Sequence, residues 1–96
     1  MGLRMIYRGG ENVKLDDLSR ARSRSVGTKQ TSKAVEKGKA RAVFLAGDAE
    51  RHVTGPLEEL CREHQVPVVE VPSMRELGAA CGIQVGAASA AILKED

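Results

Sequence analysis

Aromatic residues are almost absent: Tyr7 and Phe44 are the only two in 96 residues, and there is no tryptophan. A domain that holds single strands by stacking successive bases on rings needs several such side chains on one surface, so that mode of recognition is excluded. Cysteine is equally sparse. Cys61 and Cys81 are too few for a disulfide framework, and both fall at apolar positions of predicted helices, where a reduced cysteine acts as a small hydrophobe. No apolar run approaches the roughly 20 residues that cross a bilayer, and no stretch has the form of a secretory signal. A soluble, cytoplasmic chain without membrane association is expected.

Sets of residues for metal or covalent chemistry are also thin. Cys61-Arg62-Glu63-His64 holds a Cys-x-x-His pair, to which His52 and Cys81 could be added as zinc ligands. Structural zinc sites show tighter paired spacing, and both cysteines already have core positions, so neither a metal nor a cofactor is expected. Glu58 and Glu59 lie on the polar side of an amphipathic helix, and no Ser-His or Cys-His nucleophile arrangement is recognisable. No catalytic residue is assigned, and the chain does not read as an enzyme.

What the sequence does have is charge, unevenly spread. Residues 1–41 hold eleven Lys and Arg against four Asp and Glu, whereas residues 42–96 hold four against nine. Such a split favours an anionic partner for the N-terminal half; the competing reading is an ordinary solvated surface. The segment Gly27-Thr28-Lys29-Gln30-Thr31-Ser32-Lys33-Ala34-Val35-Glu36-Lys37-Gly38 tips the balance. A glycine turn leads into a helix whose first N–H groups have no intrahelical partner and point outward with partial positive charge, an arrangement that attracts phosphate. Lys29 and Lys33 stand at i and i+4, and Gln30, Lys33 and Lys37 at i, i+3 and i+7, so an amide fork and several ammonium groups share one side. Thr31, Ala34 and Val35 face the other way and can pack inward.

Periodicity predicts a short helix over 15–23, the glycine-led helix over 28–37 closed by Gly38, and a helix over 53–64 with Val53, Leu57, Leu60 and Cys61 in one stripe. Ser73 and Glu76 form a capping-box pattern ahead of Met74, Leu77 and Cys81, which predicts a last helix ending at Gly82. The continuous apolar run at 42–47 suits a strand buried on both faces, 67–71 reads as a second short strand, and the small, apolar segment 87–93 reads as a closing strand, although its alanines would also tolerate a helix. The order implies a single three-layer α/β/α sandwich with a central mixed sheet of about four strands at residues 14–96. Residues 1–13, with Arg4, Arg8 and a Gly9-Gly10 pair, read as a flexible arm that could touch a partner.

Two loops add candidates. Glu50 follows a buried strand in Gly47-Asp48-Ala49-Glu50 and is either a hydrogen-bond acceptor for a ligand or a charge at a helix N-terminus. Ile83 and Val85, in Gly82-Ile83-Gln84-Val85-Gly86, are either buried packing or an aliphatic cup for an unstacked base.

Taken in order, Gly27 to Val35, Ala46-Gly47-Asp48-Ala49, Leu60-Cys61, Val66-Pro67, Val71-Pro72-Ser73 with Leu77-Gly78, and Cys81-Gly82-Ile83-Gln84-Val85 resemble the kink-turn-binding ribosomal protein family, and its bacterial L7Ae-like branch in particular. The resemblance spans about residues 14 to 93. It implies that the glycine-led helix docks into the widened major groove of a kink-turn, a sharply bent RNA built on tandem sheared G·A pairs. Gly27 and Thr28 would bring backbone to the RNA. Lys29, Gln30 and Lys33 would contact guanine edges and phosphates, with Lys37 further along the same row. Ile83, Gln84 and Val85 would line a pocket for a flipped-out nucleotide, with Glu50 within reach of it. The expected function is that of a non-catalytic, monomeric RNA-binding protein that recognises and stabilises kink-turns in ribosomal or riboswitch RNA, with the ribosome a candidate partner. The alternative is a ribosome-associated protein-interaction module that has kept the fold while weakening its RNA contacts. The archaeal Asn-Glu pair at the helix start is Lys29-Gln30 here. Gln30 both donates and accepts where an ionised glutamate only accepts, and Lys29 adds charge without a planar fork, so phosphate and salt dependence should carry more of the affinity.

Overall fold

A computed structural model describes residues 4–7, backbone alone, and residues 13–95. In chain order the elements are β1 (Arg4–Tyr7), α1 (Leu15–Arg20), β2 (Arg24–Val26), α2 (Thr28–Glu36), β3 (Ala40–Ala46), α3 (Arg51–Glu63), β4 (Val68–Val71), α4 (Met74–Ala80) and β5 (Ser89–Leu93).

The apolar run that reads as a strand is the centre of the sheet. Because successive side chains point to opposite faces, Ala42, Phe44 and Ala46 of β3 enter one core and Val43 and Leu45 enter a second. On the first face α1 and α4 bring Leu18, Leu77 and Cys81 onto the sheet. On the second α2 and α3 bring Val35, Leu57 and Cys61. The fully buried Phe44, Leu18, Leu57 and Leu77 contribute roughly 1.5–3 kcal/mol each. The three-layer α/β/α expectation is therefore met, and the sheet is mixed: β3 is parallel to β4 and antiparallel to β5.

It has five strands, in the order β1-β4-β3-β5-β2, where about four were expected. The additional strands are the short edges. β2 pairs antiparallel with β5, Arg24 opposite Ile92, and its existence depends on a partner far away in sequence rather than on any local pattern. The first helix accordingly stops at Arg20 instead of running to 23, and Arg24 donates from its guanidinium to the carbonyls of Leu18 (3.0 Å) and Ser19 (3.1 Å). Residues 4–7 fall inside the segment expected as a flexible arm, yet they form β1 against β4, covering an edge whose N–H and C=O groups would otherwise be unpaired. Val13, the last residue of the expected arm, is buried in the first core instead, and the remaining arm residues, 1–3 and 8–12, lie outside the described residues.

Three helices end in the same device. After α2 the N–H of Lys39 donates to Ala34 O (2.8 Å) and that of Gly38 to Val35 O (3.0 Å); after α4 Ile83 donates to Gly78 O and Gly82 to Ala79 O; after α3 Val66 donates to Cys61 O and Gln65 to Arg62 O. These are Schellman caps, which need a left-handed residue just past the helix. Glycine supplies it twice, at Gly38 (φ 72°) and Gly82 (φ 79°), but after α3 it is Gln65 (φ 60°).

Candidate nucleic-acid interface

The glycine-led helix and both candidate loops gather at one end of the sheet, where β3 and β4 finish and β5 begins. A run of hydrogen bonds ties them together. Gly27 N–H donates to Ser89 O (2.8 Å), Ala46 N–H to Ala88 O (2.9 Å), Gly47 N–H to Val71 O (2.7 Å) and Ala87 N–H to Met74 O (3.0 Å). The backbone N–H of Met74 donates to Asp48 Oδ1 at 2.8 Å. Helix start, strand-following loop and glycine-bounded loop thus form one surface.

Gly27 initiates α2 with φ 97° and ψ 152°, a combination open only to glycine. A Cβ there would meet nothing within 4 Å, so the requirement is conformational and not a matter of space. Having no side chain, Gly27 cannot cap the helix, and no side-chain cap bond is made; the first-turn amides stay available to an outside acceptor. Two hydroxyl pairs fix the helix start on the sheet. Thr28 Oγ1 lies 2.8 Å from Ser89 Oγ and Ser25 Oγ lies 3.1 Å from Thr31 Oγ1, with Thr31 and Ser89 both 0% exposed. Thr31, Ala34 and Val35 point inward as expected, while Lys29, Gln30 and Lys33 are exposed. Lys37 is not brought to this surface. It is the C-cap of α2, and the helix's nine residues carry it about 13 Å along the axis, toward the opposite end of the sheet.

The loop after α4 resolves one open choice. Ile83 packs against the core under α4, whereas Val85 is 71% exposed, the one large hydrophobic so exposed among the described residues. Two glycines hold it there. A Cβ on Gly78 would fall within 2.0 Å of Val85 O, and a Cβ on Gly86 within 3.0 Å of Met74 Cβ, so the loop lies directly on α4 and turns Val85 and the exposed Gln84 outward.

Glu50 occupies the N-cap of α3 without making a side-chain cap bond; its Oε1 is 3.3 Å from His52 Nε2, both side chains well exposed. Asp48 has a more definite task, receiving the first N–H of α4 while Ser73 Oγ accepts from Glu76 N (3.1 Å). The capping box is altered: the Ser73 hydroxyl donates to Glu76 Oε2 at 3.3 Å. Ser25, Asp48, Gly78, Gly86 and Ser89 were not singled out by the sequence as shaping this surface. Only the Ser73 cap left a local signal of where α4 begins.

The cysteines stand apart from the surface. Burial, with a smaller contribution from Glu58, pushes the Cys61 thiol up to about 12, and burial raises Cys81 against the opposing effect of Arg24. Both are free and buried, so each is a neutral hydrophobe at neutral pH rather than a thiolate ligand. Among the described residues no three His, Cys, Asp or Glu side chains group as metal ligands, and no helix is long and apolar enough to cross a membrane.

An uncapped, glycine-led helix start joined to an exposed aliphatic loop at one end of an α/β/α sandwich defines a small domain shaped to receive an anionic partner. Residues 12–96 match the model of the ribosomal protein L7Ae/L30e/S12e/Gadd45 family, and the chain belongs to that family. It is similar to an RNA-binding protein of Geobacillus sp. (strain WCH70), 49% identical over 69 residues that cover 72% of this chain and 84% of the relative. An RNA-binding protein of Halalkalibacterium halodurans is 43% identical over 79 residues, covering 82% and 96%. Among solved structures the Giardia lamblia 15.5kD RNA binding protein superposes with a TM-score of 0.76 at 30% identity, over 85% of this chain and 69% of that one.

Proposed function

We propose that this chain is a non-catalytic RNA-binding protein that recognises kink-turns and stabilises their bent form, in ribosomal or riboswitch RNA. The observation that carries the reading is the uncapped start of α2, with Gly27 at φ 97° and no side chain on its first-turn amides, beside exposed Lys29, Gln30 and Lys33. Phosphate bound there meets backbone N–H groups and ammonium charge together, while Gln30 is free to read a base edge. Val85 supplies an aliphatic surface for an unstacked base, a role aromatic residues take in other RNA-binding folds. Glu50, exposed at the N-cap of α3, offers a further acceptor. The protein acts by binding the bent conformation better than the extended one, which shifts the population without a cofactor. RNA binding itself accords with the names of the bacterial relatives.

Titrating a kink-turn RNA against the same RNA with its G·A pairs replaced tests the reading. Affinity should fall by at least about tenfold on replacement, at one fixed salt concentration. Equal affinities would remove kink-turn recognition and leave a protein-interaction module on the same fold.

A further inference from the structure

The surface at the start of α2 uses little of the N-terminal half's positive charge. Lys29 and Lys33 belong to it, Arg24 is engaged with the last carbonyls of α1, and Lys14 is the residue from which α1 starts. The other described cations of residues 13–41 are Arg20, Arg22, Lys37, Lys39 and Arg41, and the fold collects them at the opposite end of the sheet. There β3 begins and β5 finishes, bringing Lys94 beside them: its N–H donates to Lys39 O at 2.8 Å.

That end carries a cleft of about 720 Å³ whose lining includes Arg20, Arg22, Arg41 and Lys94. A second opening of about 220 Å³ adjoins it, shares Arg41 and Lys94, and adds His64. Two carboxylates, Asp17 and Glu95, line the larger cleft, and Asp17 is already engaged by the Lys14 N–H at 2.9 Å. Arg20 is paired with Asp16 at 3.0 Å. Arg41 also has a partner, so the exposed cations left at this end are Arg22, Lys37, Lys39 and Lys94. The two ends are also linked: Lys29, Lys33 and Lys37 step along α2 at i, i+4 and i+8, about 6 Å per step along the axis, and the row continues into Lys39.

We infer that this second basic end holds the phosphate backbone of a duplex stem leaving the bent RNA, so that the footprint follows α2 from Lys29 to Lys39 and Lys94. The inference rests on the kink-turn reading above. Backbone phosphate is the ligand that suits the site: lysine charges in a row and guanidinium forks that match phosphate oxygens, with no aromatic ring in the lining on which a base could stack, attract phosphate without reading sequence.

The test compares wild type with the triple variant Arg22→Gln, Lys39→Gln, Lys94→Gln. All three side chains are exposed, and the Lys94–Lys39 bond is between backbone groups, so the fold should persist; thermal melting checks this. Two kink-turn RNAs are used, one with stems of about four base pairs and one with a stem of about twelve. At about 3 Å per base pair only the longer stem outreaches the molecule's 28 Å extent. The variant should bind the short-stem RNA as wild type does, and lose about tenfold on the long-stem RNA, with a salt slope shallower by about two to three. An unchanged long-stem affinity, or equal loss on both RNAs, overturns the second contact while leaving kink-turn binding standing. If wild type does not distinguish either RNA from its G·A-replaced control, the kink-turn reading fails and takes the inference with it.

Discussion

The two ends of the sheet are built differently although they share the same helix. At the end where α2 begins, position is determined by backbone: Gly27 in a glycine-only conformation, Gly78 and Gly86 in close approach, and hydrogen bonds from β5, β3 and α4 fixing every segment. At the other end the notable feature is charge on exposed side chains, Lys37, Lys39 and Lys94. Geometry of the first kind can select one RNA shape, whereas mobile charges of the second kind add affinity for any phosphate backbone. Selectivity should reside at the first end and salt dependence should be shared by both.

The sharpest way to break this contrast is Gly78→Ala. The new methyl overlaps Val85 O, a backbone atom, so the loop must leave α4; a stability loss of about 3 kcal/mol is expected, read by chemical denaturation, with kink-turn affinity lost in the surviving folded fraction. Gly27→Ala comes next. No atom blocks the methyl, but φ 97° with ψ 152° is closed to alanine, which should cost about 2 kcal/mol or shift the start of α2. Affinity for the intact kink-turn should then fall more than affinity for the G·A-replaced RNA.

Within the first end, charge and shape can be separated. Lys33→Ala should weaken binding and make the salt slope shallower by about one, whereas Val85→Asp should weaken it through the loss of an apolar contact made by a side chain 71% exposed in the free protein. Binding unchanged by Val85→Asp would mean that the loop does not meet RNA. The smallest effect is a control at the far end. Gln65 holds a left-handed φ of 60° where the equivalent caps have Gly38 and Gly82, so Gln65→Gly should raise stability by about 1 kcal/mol and leave selectivity for the kink-turn as it was. A stability decrease would show that the Gln65 side chain matters more than its backbone.

Local signals made the helix start readable in advance. Gly27, the lysine row and Gly38 lie within twelve residues, and the burial of Thr31, Ala34 and Val35 follows from helical period alone. The apolar run of β3 was equally legible, since a strand buried on both faces has no polar alternation to hide it. Edge strands were not. β2 is held by β5, more than sixty residues away in sequence, and its three residues carry no period. Gly78 was also unreadable as a determinant of the site, because a glycine inside a helix looks like a simple weakness until a loop is seen lying on it. Ile83 and Val85 looked equivalent in the sequence; their opposite fates depend on how Gly78 and Gly86 set the loop against α4. Lys37 shows the converse limit, since helical spacing gave its side of α2 but said nothing about which end of the sheet it would occupy.

The central claim is that the protein prefers the bent RNA, and bending can be read directly from energy transfer between dyes on the two stems of a kink-turn as protein is added. Transfer should rise to a plateau for the intact RNA and stay flat when the G·A pairs are replaced. Saturable binding with no rise in transfer, or the same rise for both RNAs, would contradict it.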